Sequence, residues 1–492
     1  MTFAPGAFAD PARAVRTAGI ATVGLYLVAA VFFTLAPGTP VAKVTEPFRW
    51  LLITGLLVTF ATGYRAVHQL PETTRLRRQV IGYGAALAAA AVLVPAFQST
   101  DLYVYVNIGW QQIGYGMDPY RSALFETPNW QSDPMFVQEW PFVPCSYGFL
   151  FALETRAVCA LSGPNHALAV VGFKAIALAT YFALGAVVWT GYRVLERPNP
   201  IRGLYLVLWN PLLLLHCVSN AHNDLQFALG VAVAIVGFAR GRWLIVFPAL
   251  AVAALVKYLS VILVPFFLVA SVRRFGWVRV GLSGAVALAL AVACWWPYRT
   301  GFDESYLSRT GSNHSTAHYS LASIAVFSFE IVFKGETREW LAGPFYAALK
   351  AVCLCAFTVL YLAALVRVVR TPRERDAGLA SASVFVLLGI ILTSPKFHSW
   401  YLGMVLPLAV WLPIGSRTRR LALAMGVSNL LSFTFVYQSH LLNALLMHVV
   451  PLVLVFRDPP GPADRLRGVI GRSRIPRAVP GLGEMRAPRS ST

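Results

Sequence analysis

Runs of about twenty apolar residues recur along the whole chain, and they constrain its fold more than any other feature. A helix of about 20 residues crosses a hydrocarbon core about 30 Å thick. Apolar residues make up 57% of the 492 positions and charged residues only 13%, whereas soluble domains carry about a quarter charged residues. The sequence therefore predicts an all-α, polytopic membrane protein. It excludes a soluble globule, a disordered chain and a coiled coil.

Hydropathy divides the chain into about fourteen candidate spans, with twelve as the lower count. The segments between 225 and 272 are short, and Pro265 breaks the last of them, so some can pair as tilted or re-entrant helices. The first run is too long for a signal peptide and is expected to remain as an anchor. The expected spans are 17–37, 48–67, 79–98, 165–190, 203–219, 225–239, 243–257, 258–272, 277–297, 346–367, 378–394, 400–414, 420–437 and 441–456.

The distribution of charge sets the expected orientation. With the N-terminus in the cytoplasm, the cytoplasmic segments hold 29 of the 41 lysines and arginines but only 8 of the 21 acidic residues. Positive loops resist translocation, so both termini are expected in the cytoplasm of a multi-pass plasma-membrane protein. The net charge of +20 is thus an orientation signal spread over short loops and a tail. It does not indicate nucleic-acid binding.

Residues 1–456 are expected to form a single transmembrane domain with two large extracytoplasmic loops, 99–164 and 298–345. The apolar stretch 141–163 would invert the downstream topology if it spanned, so it is expected to lie on the outer surface. The tail 457–492 is rich in Pro, Gly, Arg and Ser and is expected to be disordered, with arginines available to anionic membrane lipid.

Five polar clusters fall at the outer ends of the expected spans and predict one site at the outer membrane boundary. Polar residues also collect at ordinary helix ends, but five such clusters on the face poorer in positive charge favour a site. The clusters contain the candidate residues Asp101, Tyr103, Tyr105, Asp118, Tyr120, His222, Asn223, Asp224, Lys257, Tyr258, Lys396, His398, Trp400 and Tyr401.

Asp101 is the candidate general base. It follows an apolar run directly and is flanked by Tyr103 and Tyr105, so desolvation is expected to raise its pKa into a useful range. The alternative is that Ser99-Thr100-Asp101 caps the following helix. The two roles are compatible.

Two further acidic motifs have open interpretations. Asp118-Pro119-Tyr120 is a substrate-binding candidate or a plain turn, because proline fixes its own backbone and restricts the residue before it. His222-Asn223-Asp224 could hold sugar hydroxyls or an acceptor, or could cap the next helix. A metal shared with Asp101 is possible but not indicated, so no cofactor is expected. The six cysteines show no paired C-x-x-C motif and predict packing rather than zinc.

Cationic and aromatic residues supply the rest of the expected site. Lys257 ends a strongly apolar run and either extends its amine to the interface or binds a lipid phosphate. Lys396 and His398 offer a second phosphate contact. Trp400 and Tyr401 are interface anchors or sugar-stacking faces.

The ordered set of motifs resembles the integral-membrane GT-C glycosyltransferases that use polyprenyl-phosphate sugars. The actinobacterial α-1,6-mannopyranosyltransferase group is most similar. The resemblance rests on Asp101-x-Tyr-x-Tyr, Gly109 through Asp118-Pro119-Tyr120, His222-Asn223-Asp224, the run ending in Lys257, and Ser394-Pro395-x-x-His398-x-Trp400-Tyr401. Two departures stand out: Ala221 replaces the glycine of a Gly-His-Asn-Asp motif, and Phe149 follows Tyr147-Gly148 where proline is common.

The resemblance implies transfer of a sugar, mannose by the family, from a polyprenyl-phosphate donor to a glycan or lipid-linked acceptor on the outer face. Asp101 would deprotonate the acceptor hydroxyl, and the phosphate would leave with inversion. A transporter or flippase of lipid-linked glycans is the alternative. Buried charges that a transporter would need are scarce, with Lys174 the one clear charge in mid-span, and this weakens the transporter interpretation. A third possibility is a subunit that has the fold without the chemistry.

Overall fold

The computed structural model describes residues 8–35, 42–301, 306, 319–370, 377–432 and 440–457. Every regular element in these ranges is helical. Short 3-10 or π-helical segments cover Leu124–Glu126, Leu213–Ser219, Tyr258–Leu263, Trp296–Tyr298, Ser399–Met404 and Leu445–Val449. The α-helices are α1 (Pro11–Leu35), α2 (Ala42–Gln69), α3 (Thr74–Leu93), α4 (Asp101–Gly114), α5 (Phe149–Ser162), α6 (His166–Val194), α7 (Pro200–Leu208), α8 (Asp224–Ala239), α9 (Trp243–Val256), α10 (Val264–Phe275), α11 (Trp277–Trp295), α12 (Leu321–Val332), α13 (Gly335–Arg370), α14 (Ala377–Thr393), α15 (Leu406–Ala409), α16 (Arg417–Ser432), α17 (His440–Ala444) and α18 (Val450–Arg457).

The described helices give a smaller count of candidate spans than hydropathy predicts. Six are long and apolar enough to cross a membrane, and α7 with Leu213–Ser219, bent by 56°, makes a seventh if the pair is one span. The 16 residues of α8 and the 14 of α9 extend about 24 and 21 Å. Neither alone crosses about 30 Å of hydrocarbon. The described part of the chain is thus all-helical and of multi-pass type, with six to seven candidate spans.

Several sequence expectations fall outside the described residues. These are the end of the span at 420–437, nearly all of the tail 457–492, and most of the stretch 302–318 within the second outer loop. Within the described part, the stretch 141–163 forms a loop and then the 14-residue helix α5, which packs against α4, α6 and α9. Helix α5 is too short to span on its own.

The end of α3 positions the chain segment that leads to Asp101. Pro95 disfavours a helical conformation for the residue before it, and Val94 is extended, so α3 ends at Leu93 instead of 98. The freed carbonyl oxygens of Val92 and Val94 accept hydrogen bonds from the Lys174 ammonium at 2.8 and 2.5 Å. Lys174 therefore stabilises a helix end, which accounts for its mid-span charge without an ion pathway.

The indole N–H groups of two buried tryptophans also donate hydrogen bonds to carbonyl oxygens of neighbouring helices. The indole of Trp209 donates to the carbonyl of Val80 at 3.0 Å, and that of Trp411 donates to the carbonyl of Val188 at 3.1 Å. In an apolar environment an unpaired indole N–H would cost several kcal/mol, on the order of a transfer from water to hydrocarbon. These bonds therefore fix how α3 and α6 pack against the segments that carry the two tryptophans.

The loop before α5 is tied to the end of α9 at a close approach. The amide of Gly148 donates to the carbonyl of Val256 at 3.0 Å. A Cβ atom at position 148 would collide with the backbone of Leu255, so only glycine allows this contact. The contact places Tyr147 beside Lys257, where the candidate site lies.

Candidate functional site

A cavity of about 880 Å³ lies where the ends of several helices meet. Its wall is formed by the segment between α3 and α4, the loop before α5, the residues after α9 and the stretch from the end of α14 to Met404. Seven of the fourteen predicted site residues line it, from three separate parts of the chain: Asp101, Lys257, Tyr258, Lys396, His398, Trp400 and Tyr401.

Asp101 is the first residue of α4, and its carboxylate reaches the cavity wall. Its amide donates to the hydroxyl of Ser99 at 3.2 Å, while Thr100, at the cap position, makes no side-chain capping bond. The carboxylate is one-fifth exposed (20%), and Oδ2 lies 3.4 Å from Nδ1 of the buried His222. The side chain of Asp101 therefore does not cap α4, and one side of its carboxylate faces the cavity.

The expected rise in the pKa of Asp101 is wrong. Burial raises the pKa of this carboxyl, as the sequence argument assumed. The approach of His222 and the positive charge of His398 and Lys257 outweigh burial, so the pKa lies below its ordinary value. The group is therefore a carboxylate at neutral pH, in the state that accepts a proton.

Three rings form a continuous stack behind and beside Asp101. The indole of Trp400 lies between the imidazoles of His222 and His398, with centroid distances of 4.2 and 4.4 Å and interplanar angles of 12° and 8°. His398 and Trp400 line the cavity, whereas His222 is buried behind them. The stack fixes the ring plane of His222 and thereby its approach to Asp101.

Lys257 is held by a buried partner. Its ammonium lies 2.8 Å from Oδ1 of Asp224, which is fully buried at the first turn of α8, and 5.1 Å from the ring centroid of Tyr401. The Lys257 side chain is 16% exposed, and the residue lines the cavity. Neither sequence interpretation of Lys257 included this ion pair. Asp224 acts as a support for the lysine and lies outside the cavity wall.

Lys396 lines the cavity from the segment that follows α14. Its ammonium lies 5.1 Å from the ring centroid of Trp140, which also lines the cavity. Burial lowers the pKa of Lys396, and the charge of Asp101 acts in the opposite direction. Two lysines and one carboxylate thus share one cavity.

Five predicted site residues have other surroundings. Tyr103 stacks on His166 at 5.7 Å, and Tyr105 is buried against Phe151 at 4.7 Å. The Asp118 carboxylate accepts from the amide of Tyr120 at 2.9 Å, which is the plain-turn interpretation. The hydroxyl of Tyr120 donates to the carbonyl of Tyr147 at 2.9 Å. None of these four residues lines the main cavity, and neither does Asn223.

The structure adds wall residues that sequence reasoning missed. Gln98 and Trp140 line the cavity, and both amide atoms of Gln98 are buried without a hydrogen-bond partner among the described residues. Gln98 could have been identified from the sequence, because it lies only three residues before the candidate Asp101. The nearest predicted residues are Tyr120, 20 positions before Trp140, and His222, 82 positions after it, so no local pattern identified Trp140.

An open apolar groove of about 530 Å³ lies next to the cavity, between α9, α10 and α11. Tyr258 lines both spaces, and almost all other groove residues are apolar. For metals, the described residues contain no group of three His, Cys, Asp or Glu side chains placed to hold an ion.

The chain resembles characterised families over much of its length. The family described as "Alpha-(1->6)-mannopyranosyltransferase, N-terminal domain" matches residues 14–273, which is more than half of the chain. This range contains Asp101, His222, Asp224 and Lys257.

Individual relatives show the same likeness. "Alpha-(1->6)-mannopyranosyltransferase A" of Mycobacterium tuberculosis is 25% identical over 361 residues, covering 70% of this chain and 66% of the relative. A "Probable alpha-(1->6)-mannopyranosyltransferase" of Mycolicibacterium smegmatis is 24% identical over 368 residues, covering 65% and 63%. The chain thus spans just under two thirds of the length of these curated relatives. On the strength of the family match, the chain belongs to the alpha-(1->6)-mannopyranosyltransferase family.

Proposed function

We propose that this protein is a GT-C glycosyltransferase that transfers mannose from a polyprenyl-phosphate donor to a glycan or lipid-linked acceptor. The observation that carries the proposal is the 880 Å³ cavity in which a carboxylate, two lysines and stacked aromatic rings converge. A donor with a phosphate between a lipid and a sugar needs these groups side by side. The names of the relatives support mannose as the sugar.

The lysines are the donor's phosphate contacts in this proposal. Lys257 and Lys396 are compact cations that stabilise the charge gained by the phosphate as the sugar leaves. The ion pair with Asp224 holds Lys257 in place, so the lysine need not be ordered when the donor binds. His398, at the same wall, is the third contact.

Aromatic and amide side chains bind the sugar. Trp400 is fixed by its two neighbouring imidazoles, and Tyr401 and Trp140 offer further ring faces in the same cavity. Gln98 brings an amide with an unused donor and an unused acceptor, which a sugar hydroxyl pair satisfies. The unpaired amide would otherwise be a buried polar group that costs about 1–3 kcal/mol.

The lipid tail of the donor lies in the apolar groove between α9, α10 and α11. Tyr258 lines both the groove and the cavity, so the two spaces adjoin at this residue, which directly follows Lys257 in the chain. This supports a donor that remains in the membrane. The proposed enzyme is one GT-C domain over residues 1–456 with about fourteen spans. The charge distribution favours both termini in the cytoplasm and the cavity on the outer face.

Asp101 is the general base in the proposed reaction. The acceptor hydroxyl gives its proton to the carboxylate while its oxygen attacks the anomeric carbon of mannose. The bond from that carbon to the phosphate oxygen breaks, its electron pair stays on the phosphate, and the sugar configuration inverts. General-base assistance of this kind contributes about 10²–10⁴-fold to rate.

Transfer by purified protein tests the proposal. Wild-type protein in nanodiscs is given a panel of polyprenyl-phosphate sugars and a mannan oligosaccharide, with Asp101→Asn as the isosteric variant and Asp133→Asn, in the outer loop away from the cavity wall, as the matched control. We expect mannose transfer by the wild type and the control, and a loss of about 10²–10⁴-fold in Asp101→Asn. Full transfer by Asp101→Asn removes the base assignment. Movement of unmodified lipid-linked glycan across the bilayer with no transfer supports a flippase, and neither activity supports a subunit without chemistry.

A further inference from the structure

A second, much smaller cavity is lined by His222, whose Nδ1 lies 3.4 Å from Oδ2 of Asp101. Its volume of about 10 Å³ is close to the space needed for one water molecule. Polar side chains from three helices and one turn line it: Glu154 on α5, Thr180 on α6, Gln226 on α8, and His222 and Asn223 in the turn before α8. His222 lines this small cavity, and its stacking partner Trp400 lines the main one.

The polar atoms around this small cavity lack partners. Both ring nitrogens of His222, both amide atoms of Asn223 and Oε1 of Gln226 are buried without a hydrogen bond within the described residues. Unpaired buried groups of this kind are rare, and an ordered water satisfies them when the site has room for it. A water here reaches His222 on one side and Glu154 on the other.

Glu154 is held in position to act on that water. The Nε2 amide of Gln226 donates to both carboxylate oxygens at 2.9 Å. Burial raises the pKa of Glu154 to about 7, and the bond from Gln226 lowers it in part. Both states are accessible near neutral pH. An ionised carboxylate only accepts hydrogen bonds, whereas a protonated one can donate.

We propose that Glu154 is a positioning residue that selects the tautomer of His222 through this water. When Glu154 is ionised, the water donates one hydrogen to the carboxylate and the other to Nε2 of His222. Nε2 is then an acceptor, so the ring proton lies on Nδ1, 3.4 Å from Oδ2 of Asp101. In this tautomer the ring proton lies on the nitrogen nearest the Asp101 carboxylate, where it stabilises the ionised form.

Other titratable groups near this chain of contacts are few. His222 shares the small cavity with Glu154, and behind it lie Asp101 and the buried His216. Helix α6 contributes Phe173, Ala177 and Thr180 to the wall, and α9 and α11, which also pack on α5, contribute no described residue to it. Within the described chain, Glu154 is thus the one acidic side chain that lines the small cavity.

The tautomer is measurable without any activity assay. Solid-state NMR of protein labelled with 15N-histidine in lipid bilayers gives the protonated nitrogen of His222, whose signal is assigned by its loss in His222→Gln. At pH 8 we expect the Nδ1–H form in the wild type and a substantial Nε2–H population in Glu154→Gln. Glu196→Gln, an exposed site on the cytoplasmic side, is the charge-matched control and should match the wild type. An unchanged tautomer in Glu154→Gln overturns the proposal.

The second readout rests on the proposed function. In the wild type, kcat should rise with pH through about 7 as Glu154 ionises. In Glu154→Gln we expect this limb to disappear and kcat at pH 8 to fall about tenfold, as for loss of one hydrogen bond to a charged group. The KM for donor should stay unchanged because Glu154 does not line the main cavity. If the NMR result holds but Asp101→Asn still transfers, the proposed base fails while the tautomer assignment stands. An unchanged kcat profile despite a changed tautomer refutes the link to catalysis.

Discussion

The ion pair between Lys257 and Asp224 should respond asymmetrically to removal of its two members. Asp224 is fully buried, and its Oδ2 has no hydrogen-bond partner in the described structure, so Lys257→Met leaves an uncompensated charge in the interior. Breaking a buried pair this way costs about 3–5 kcal/mol. Lys257 is 16% exposed and lines a water-accessible cavity. In Asp224→Asn the free ammonium is solvated there, so the expected cost is smaller, about 1–2 kcal/mol.

Thermal unfolding of the three variants in detergent, followed by tryptophan fluorescence, measures this asymmetry. With about 2–4 °C per kcal/mol for a mid-sized domain and less for a longer chain, Lys257→Met should lower Tm by about 5 °C and Asp224→Asn by less than half of that. The double variant Lys257→Met/Asp224→Asn should recover most of the loss, because the buried charge is gone. Equal shifts for the single variants, or additive shifts in the double variant, would refute the reasoning.

Three further predictions concern stability and topology. Folding raises the pKa of Glu154 from 4.5 to about 7. Wild-type stability is therefore greatest below the unfolded pKa and falls by about 3 kcal/mol as pH rises through 7. Melting scans across pH should show this loss in the wild type but not in Glu154→Gln. Lys174→Met should lower Tm by several degrees, since two buried carbonyls each lose a charged donor worth about 1.5–3 kcal/mol; an unchanged Tm contradicts the helix-end role. In a Cys355→Ser background, Ser132→Cys should react with an impermeant maleimide on intact cells and Glu196→Cys only after permeabilisation, and the reverse pattern would invert the proposed orientation.

The sequence was most informative where polar residues interrupt apolar runs. Asp101, Lys257 and Lys396 stand out because each follows a long apolar stretch, and the charge rule places their ends of the helices on one side. The structure has all three on the wall of the same cavity. Their grouping could thus be anticipated from hydropathy and charge alone.

Local pattern could not show which neighbours of these residues face the cavity. Side chains advance by about 100° per residue along a helix, so Tyr103, two positions after Asp101, projects to a different face of α4. The partner of Lys257 is 33 residues earlier, and the direction of the Asp101 pKa shift depends on cations from three separate segments. Such long-range contacts have no signature in a local window.

The departure at Ala221 also gains a physical meaning from the fold. Ala221 has φ of +52° in the turn that delivers His222 to the stack. Glycine, which stands at this place in the related Gly-His-Asn-Asp motif, adopts that conformation without steric cost, whereas alanine is strained by about 1–2 kcal/mol. The turn is therefore retained here despite the substitution, and the position of His222 with it.

The location of the donor phosphate tests the central claim most directly. A cryo-electron-microscopy structure of Asp101→Asn with polyprenyl-phosphate mannose and an acceptor oligosaccharide would hold the reactants before transfer. We expect the phosphate between Lys257 and Lys396, the mannose against Trp400 with its anomeric carbon toward residue 101, and the lipid in the groove lined by α9, α10 and α11. A phosphate bound outside this cavity, or a sugar separated from residue 101 by packed protein, would contradict the account.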